Sequence, residues 1–248
     1  FDFRQEDIYN NGQGAPLTPI FHDLISKNIN KQNQIQFPIG FINIGGISNI
    51  TKVLRSNGKI EENIEAFDSG PGNCLIDEWI RVKSKKKFDN DGLIAQSGKI
   101  DQLILNQAID NFEIQSYDKS LDIKNFDTSF ARGLSLEDGC ATITSFTAYL
   151  IAKGIEYSNK DKSKNIKYLI CGGGRKNNFL INCIKDYSSN QTNISLDIID
   201  NYKYDGDYIE SQAFGYLAIR SFLNLPISFP KTTGCDKPTV GGKIVENF

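Results

Sequence analysis

Methionine is absent from all 248 residues, position 1 included. The chain opens abruptly on Phe1-Asp2-Phe3, so a processed chain or one with its front missing is expected. No apolar run approaches the ~20 residues that span a bilayer, which excludes a membrane-spanning helix. No basic, apolar, small-residue leader is visible at the start, and a cytoplasmic protein is expected. The five cysteines (Cys74, Cys140, Cys171, Cys183, Cys235) form no CxxC pair and no metal-ligand spacing. Several lie in apolar segments, so buried free thiols in a reducing compartment are expected. Histidine occurs once, as His22. A lone His is more often structural than catalytic, although it can titrate near neutral pH. Excess positive charge is missing too: a formal net charge of −2 argues against a nucleic-acid surface. Asp89-Asn90-Asp91-Gly92 starts like a calcium loop but lacks the later bidentate Glu. The triplets headed by Asn49 and Asn193 match glycosylation acceptors only by chance in so Asn-rich a chain.

What is present centres on residues 37–73, FPIGFINIGGISNITKVLRSNGKIEENIEAFDSGPGN. Ile39 to Ile44 is an apolar, β-branched run and predicts a strand. Gly45-Gly46 allows a tight reversal, since glycine accepts φ > 0 freely. Ile47 to Leu54 alternates imperfectly and predicts a partner strand. Ser56-Asn57-Gly58 predicts a second turn, and Ile60 to Phe67 a third strand. Asp68 to Asn73 breaks regular structure, and Cys74 starts a helix. In an antiparallel meander the two glycine-rich breaks return to one edge of the sheet and face one cleft. Backbone amides at Gly45 and Gly46 could then meet phosphate oxygens, with Asp68 a carboxylate at a strand end. Two ordinary turns are the plainer alternative.

Residues 1–36 are polar and punctuated, with Asn10 to Pro19 a loop and Ile20 to Ile29 helical. Arg4 and Asp7 read either as ligand contacts or as a surface pair. Cys74 to Lys87 reads as a helix with acids early and lysines late, which suits its dipole. An irregular insert covers about 88–135. Ser135 is a candidate N-cap for a long helix whose inward face is Ala141, Ile143, Phe146, Thr147, Leu150, Ile151 and Ile155. Ile166 to Cys171 is a strand, followed directly by Gly172-Gly173-Gly174. Asn177 to Ile184 is helical, Ile194 to Ile199 a strand, and Tyr208 to Leu223 a final helix. Ile209, Ala213, Phe214, Leu217 and Ala218 of that helix are expected inward. The order predicts an α/β fold of ribonuclease-H-like (actin-like ATPase) class. Its mixed sheet follows β-β-β-α-β-α-β-α order, plus the helical insert.

The segments FINIGGISN, AFDSGPGNCLID, KSLD, GLSLEDGCATIT, YLICGGGRKN, DGDYIESQAFGYLAIR and a terminal TTG with VGGKI occur in that order. Together with DFRQEDIYNNGQGAPLTPIFH at the front they closely resemble the anhydro-N-acetylmuramic acid kinases. The resemblance covers essentially the whole chain but lacks the GTSxDG segment with which such proteins begin. It implies residues 1–36 as linker or first-domain remnant and 37–248 as the second kinase domain. It implies Asp68 as the base that activates water and Glu210 as a second carboxylate near that water. Asn43, Gly45, Gly46, Asn49 and Gly172 to Gly174 would then serve ATP, and Arg4, Gln13 and His22 the sugar. Mg²⁺ comes with ATP, and no residue is assigned to it. The implied work is ATP-dependent opening and phosphorylation of an anhydro sugar in cell-wall recycling, commonly by a homodimer. A non-catalytic remnant and another sugar kinase of the superfamily are the alternatives.

Overall fold

The computed structural model describes residues 1–33, 35–55, 57–112, 117 and 119–245. Ser56 of the expected second turn lies outside the described residues. Five strands, β1 (Ile39–Ile44), β2 (Ile47–Val53), β3 (Ile64–Pro71), β4 (Ile166–Cys171) and β5 (Ile194–Ile198), make one sheet of order β3-β2-β1-β4-β5. The β1–β2 and β2–β3 pairs are antiparallel, and β1–β4 and β4–β5 are parallel. This is the ribonuclease-H-like arrangement the element order predicts.

The helices are α1 (Gln5–Tyr9), α2 (Pro19–Asn33), α3 (Ile60–Asn63), α4 (Cys74–Lys83), α5 (Leu93–Ser97), α6 (Gln102–Asp110), α7 (Leu136–Ser158), α8 (Asn178–Ser188), α9 (Ile209–Phe222) and α10 (Pro230–Thr233). Alternation along β1 sorts its side chains to two cores. Ile42 and Ile44 face α4, α7, α8 and the insert, with Trp79, Phe146 and Leu180. Ile39 and Phe41 face α2 and α9, with Phe21, Ile25, Ile29 and Ala213. Part of residues 1–36 is therefore built into the same core as the sheet. Ser135 caps α7 as expected, its Oγ accepting from the Asp138 amide at 3.0 Å, and every expected inward residue of α7 is buried. All five cysteines are free and buried. Among the described residues no helix is long and apolar enough to cross a membrane.

Four local expectations are corrected. The third strand starts at Ile64, after the short helix α3, and runs through Asp68 to Pro71. Pairing of Ile47 with Pro71 and Ser48 with Gly70 holds this Gly/Pro stretch extended, with a register shift at Ser48/Asn49. Gly45 and Gly46 do not use positive φ. The steric demand falls instead on Gly72, where a Cβ would lie 2.3 Å from the Gly45 carbonyl oxygen. On α9, Phe214 and Ala218 face outward, Phe214 being 40% exposed. The α4 helix also stops at Lys83, leaving Lys85 to Lys87 beyond it.

Candidate active site

Asp68 lies near the end of β3, and its register partner is Asn49. Asn49 in turn pairs with Asn43, and Asn43 with Cys171. Directly paired residues point to one face, so these four form a row across the α2/α9 side of the sheet. The row is polar where Phe41 and Leu169 one step earlier are core. Asp68 is 8% exposed and opens on a crevice of about 500 Å³. Its Oδ2 accepts from the Leu121 amide at 2.9 Å. Burial raises its pKa above the ordinary aspartate value, and the Leu121 amide opposes that shift. The carboxylate is thus a stronger base than a solvated one.

The two glycine turns meet at the same edge. Gly72 donates its amide to the Gly46 carbonyl at 2.9 Å, and Asn73 donates to the Gly45 carbonyl at 2.7 Å. Gly172 and Gly174 are packed against the end of β1. A Cβ on Gly172 would meet Asn43 Oδ1 at 2.6 Å, and one on Gly174 would meet Ile44 Cγ2 at 2.3 Å. Gly172 also holds φ at +78°, the left-handed region. By contrast, a Cβ on Gly45, Gly46 or Gly173 meets nothing nearer than 3.5 Å. These three leave room beside the backbone, although the Gly45 amide donates to the Ile47 carbonyl at 3.3 Å. A smaller crevice of about 260 Å³ adjoins Gly173 and is lined by Asn73, Asp77, Asn90, Asp91 and Lys176. The helix expected from Asn177 is present, but it does not follow the glycines directly. A 3-10 turn, Gly173–Lys176, intervenes, and α8 begins at its cap Asn177, whose side chain accepts from Leu180.

Arg175 fixes this turn. Its side chain is 5% exposed and reaches Asp200, Asp205 and Asp207, while donating to the Gly172 carbonyl at 3.1 Å. Hydrogen bonds to Asp200 hold the guanidinium above its usual pKa. Arg175 and Lys176 in turn lower Asp207 to about 2.

The remaining expected residues divide. Gln13 lines the Asp68 crevice and accepts from the Ser120 amide. Glu210 lies exposed in the first turn of α9, outside the lining of that crevice. Its charge acts nearer the other end of the polar row: burial pushes the Cys171 thiol up to about 12, and Glu210 adds to that. Arg4 is exposed at the start of α1 and does not line the crevice. His22 is interior: it is 1% exposed, stacks on Phe41 at 4.6 Å and has Nδ1 2.9 Å from Thr51 Oγ1. Asp7 makes no pair with Arg4. It is buried, accepting from the Gly14 amide at 2.7 Å and the Thr233 hydroxyl at 2.6 Å.

Sequence reasoning missed Leu121, the Arg175 clamp and an aromatic wall of Phe67, Tyr117 and Tyr157. The rings of that wall lie 4.4 to 5.1 Å apart beside Asp68. KSLD carried the only signal for Leu121, as a motif with no assigned task.

A mixed sheet of this topology, with glycine turns and a buried acid at one edge, defines a domain of the ribonuclease-H-like class. The family model described as "Anhydro-N-acetylmuramic acid kinase" matches residues 1–247, and the chain belongs to that family. An anhydro-N-acetylmuramic acid kinase of Pelagibacter ubique is 51% identical over 251 residues, covering 100% of this chain and 64% of the relative. One of Zymomonas mobilis is 36% identical over 244 residues, covering 98% and 62%. The chain thus spans a little under two thirds of the length of these relatives. The activator of a 2-hydroxyisocaproyl-CoA dehydratase from Clostridium difficile, solved with bound ADPNP, aligns at 15% identity over 79% of this chain and 68% of its own. Its TM-score of 0.44 is too low to bear on the site.

Proposed function

We propose that this chain carries part of a kinase that opens 1,6-anhydro-N-acetylmuramic acid with water and phosphorylates O6, giving N-acetylmuramic acid 6-phosphate. The setting would be peptidoglycan recycling and amino sugar metabolism in the cytoplasm. Family membership and the two relatives' names support the substrate. One observation carries the chemistry: a buried, singly hydrogen-bonded Asp68 carboxylate opening on a crevice.

In this reading Asp68 takes a proton from water, which is otherwise too weak a nucleophile. The water oxygen bonds to the anomeric carbon, the bond from that carbon to O6 breaks, and its electron pair stays on O6. That oxygen is the phosphoryl acceptor, so no separate acid is required. Glu210 is kept as a second carboxylate, acting from the α9 side of the polar row. Open backbone at Gly45, Gly46 and Gly173 fits phosphate and ribose groups, with Asn43 and Asn49 beside them and Gly172 and Gly174 shaping the turn. When bound, ATP with Mg²⁺ supplies the phosphoryl group and neutralises its charge. No residue is assigned to the metal. A homodimer is part of the same proposal.

The test offers the chain ATP and Mg²⁺ with 1,6-anhydro-N-acetylmuramic acid or N-acetylglucosamine. Phosphorylation of the anhydro sugar alone supports the reading. Phosphorylation of N-acetylglucosamine alone overturns it in favour of another sugar kinase. Nucleotide binding without turnover of either favours a non-catalytic domain.

A further inference from the structure

The Leu121 amide that reaches Asp68 belongs to a loop, residues 119–122. After it, Asp122 and Asn125 close a capping box on the 3-10 turn Ile123–Asn125. Before it, the grip comes from far away in sequence. The Ser120 amide donates to Gln13 Oε1, and the Ser120 hydroxyl donates to the Ala15 carbonyl at 3.1 Å. Residues 13–15 are anchored in turn. The Gln13 amide donates to the Thr233 carbonyl at 2.9 Å, and Gly14 donates to Asp7, which also accepts from Thr233. A continuous chain of contacts therefore runs from Asp7 and Thr233 through Gln13 and Ser120 to Asp68.

We infer that Gln13 is a positioning residue: with the Ala15 carbonyl it grips Ser120 and so aims the Leu121 amide at the Asp68 carboxylate. This rests on the proposed function only for the use to which Asp68 is put. An amide that donates to the charged carboxylate favours that form, so loosening the grip lets burial lift Asp68 further. The other charged groups lining the crevice are Lys52, Glu65, Lys119, Lys160, Asp161 and Lys231. His22, buried beneath the same sheet face, is neutral in the interior. None of these is altered by the variants below.

The experiment uses the 248-residue chain without substrate. The Asp68 side-chain carboxyl is titrated by NMR, and hydrogen exchange of the Leu121 amide is followed, in the wild type, Gln13→Leu, Ser120→Ala and Ser120→Thr. In the first two variants the Asp68 midpoint moves up by about half a pH unit or more, and Leu121 exchanges about tenfold faster. Ser120→Thr keeps the hydroxyl and keeps the wild-type midpoint. If Gln13→Leu fails to fold, Gln13→Ala decides, since it removes the same acceptor with a smaller side chain, whereas Ser120→Ala tests only the Ala15 half of the grip. An unmoved Asp68 midpoint in the folded variants overturns the inference, whether or not Leu121 exchange changes. A failed sugar-kinase assay leaves these readouts intact, and their failure leaves Asp68 available as a base.

Discussion

The guanidinium of Arg175 holds the carboxylate of Asp200 through two bonds, Nε to Oδ2 at 2.7 Å and Nη2 to Oδ1 at 3.1 Å. The same side chain bonds Asp207 through Nη1 at 2.7 Å. Arg175 therefore ties the turn after β4 to the connection between β5 and α9. Removing it frees both segments and strips the Gly172 carbonyl of a donor.

Arg175→Met is expected to cost about 2–3 kcal/mol in urea unfolding, the range for charge-assisted hydrogen bonds. Arg175→Lys recovers little, because one ammonium cannot reproduce the fork. Asp200 and Asp207 both have lowered pKa values in the fold, Asp207 to about 2. Their contribution is complete above an unfolded value near 4 and is lost as pH falls toward 2. The variant should show a flatter stability profile across that window.

The three glycines after β4 are expected to differ. Gly172→Ala and Gly174→Ala each cost about 1–3 kcal/mol, the first from its φ and its clash with Asn43, the second from its clash with Ile44. Gly173→Ala stays within about 0.5 kcal/mol, since its Cβ meets nothing nearer than Asn73 at 3.8 Å. If this turn seats the nucleotide, Gly173→Ala weakens ATP binding several-fold at unchanged melting temperature. Paired calorimetric titration and thermal melts check both halves.

His22 gives a pH signature. Burial lowers its pKa to about 3 from an ordinary 6.5. The unfolded chain then binds a proton that the folded chain refuses between those values. Stability from this group is full above pH 6.5 and is lost as pH falls toward 3, at up to ~1.4 kcal/mol per pH unit. His22→Leu loses the Thr51 bond but also this acid penalty. Its stability should approach that of the wild type as pH drops from 7 to 5, measured by urea midpoints.

Gly72→Ala is expected to open the edge where the two turns meet. Its Cβ would sit 2.3 Å from one carbonyl oxygen and 3.2 Å from another, neither able to retreat without breaking the β1–β2 turn. A loss of about 1–3 kcal/mol should appear in denaturant unfolding. Faster amide exchange at Gly72 and Asn73 should accompany it.

Much of this architecture was legible from local pattern. Apolar runs marked β1, β4 and β5, and a serine three residues before an acid marked the start of α7. β3 was misplaced because its Asp-Ser-Gly-Pro end is extended by pairing with β2, a tertiary choice that overrides local propensity. Asp68 could be picked out from its motif, but the amide that serves it could not. That donor is main chain, which any residue supplies, and it comes from 53 positions away. Arg175 hid for a related reason: its acids lie 25 to 32 positions downstream. His22 looked equally able to titrate or to pack, and only its burial decides.

β3 sits at the rim of the sheet and is paired on one side alone, whereas β1 is laced to neighbours on both. A rim strand yields to a small push far more readily than a central one. If the turn after β1 seats a nucleotide, that seat is fixed and the acid a movable wall. Any tightening of the crevice around a guest should travel through residues 64–71, leaving residues 39–44 at rest.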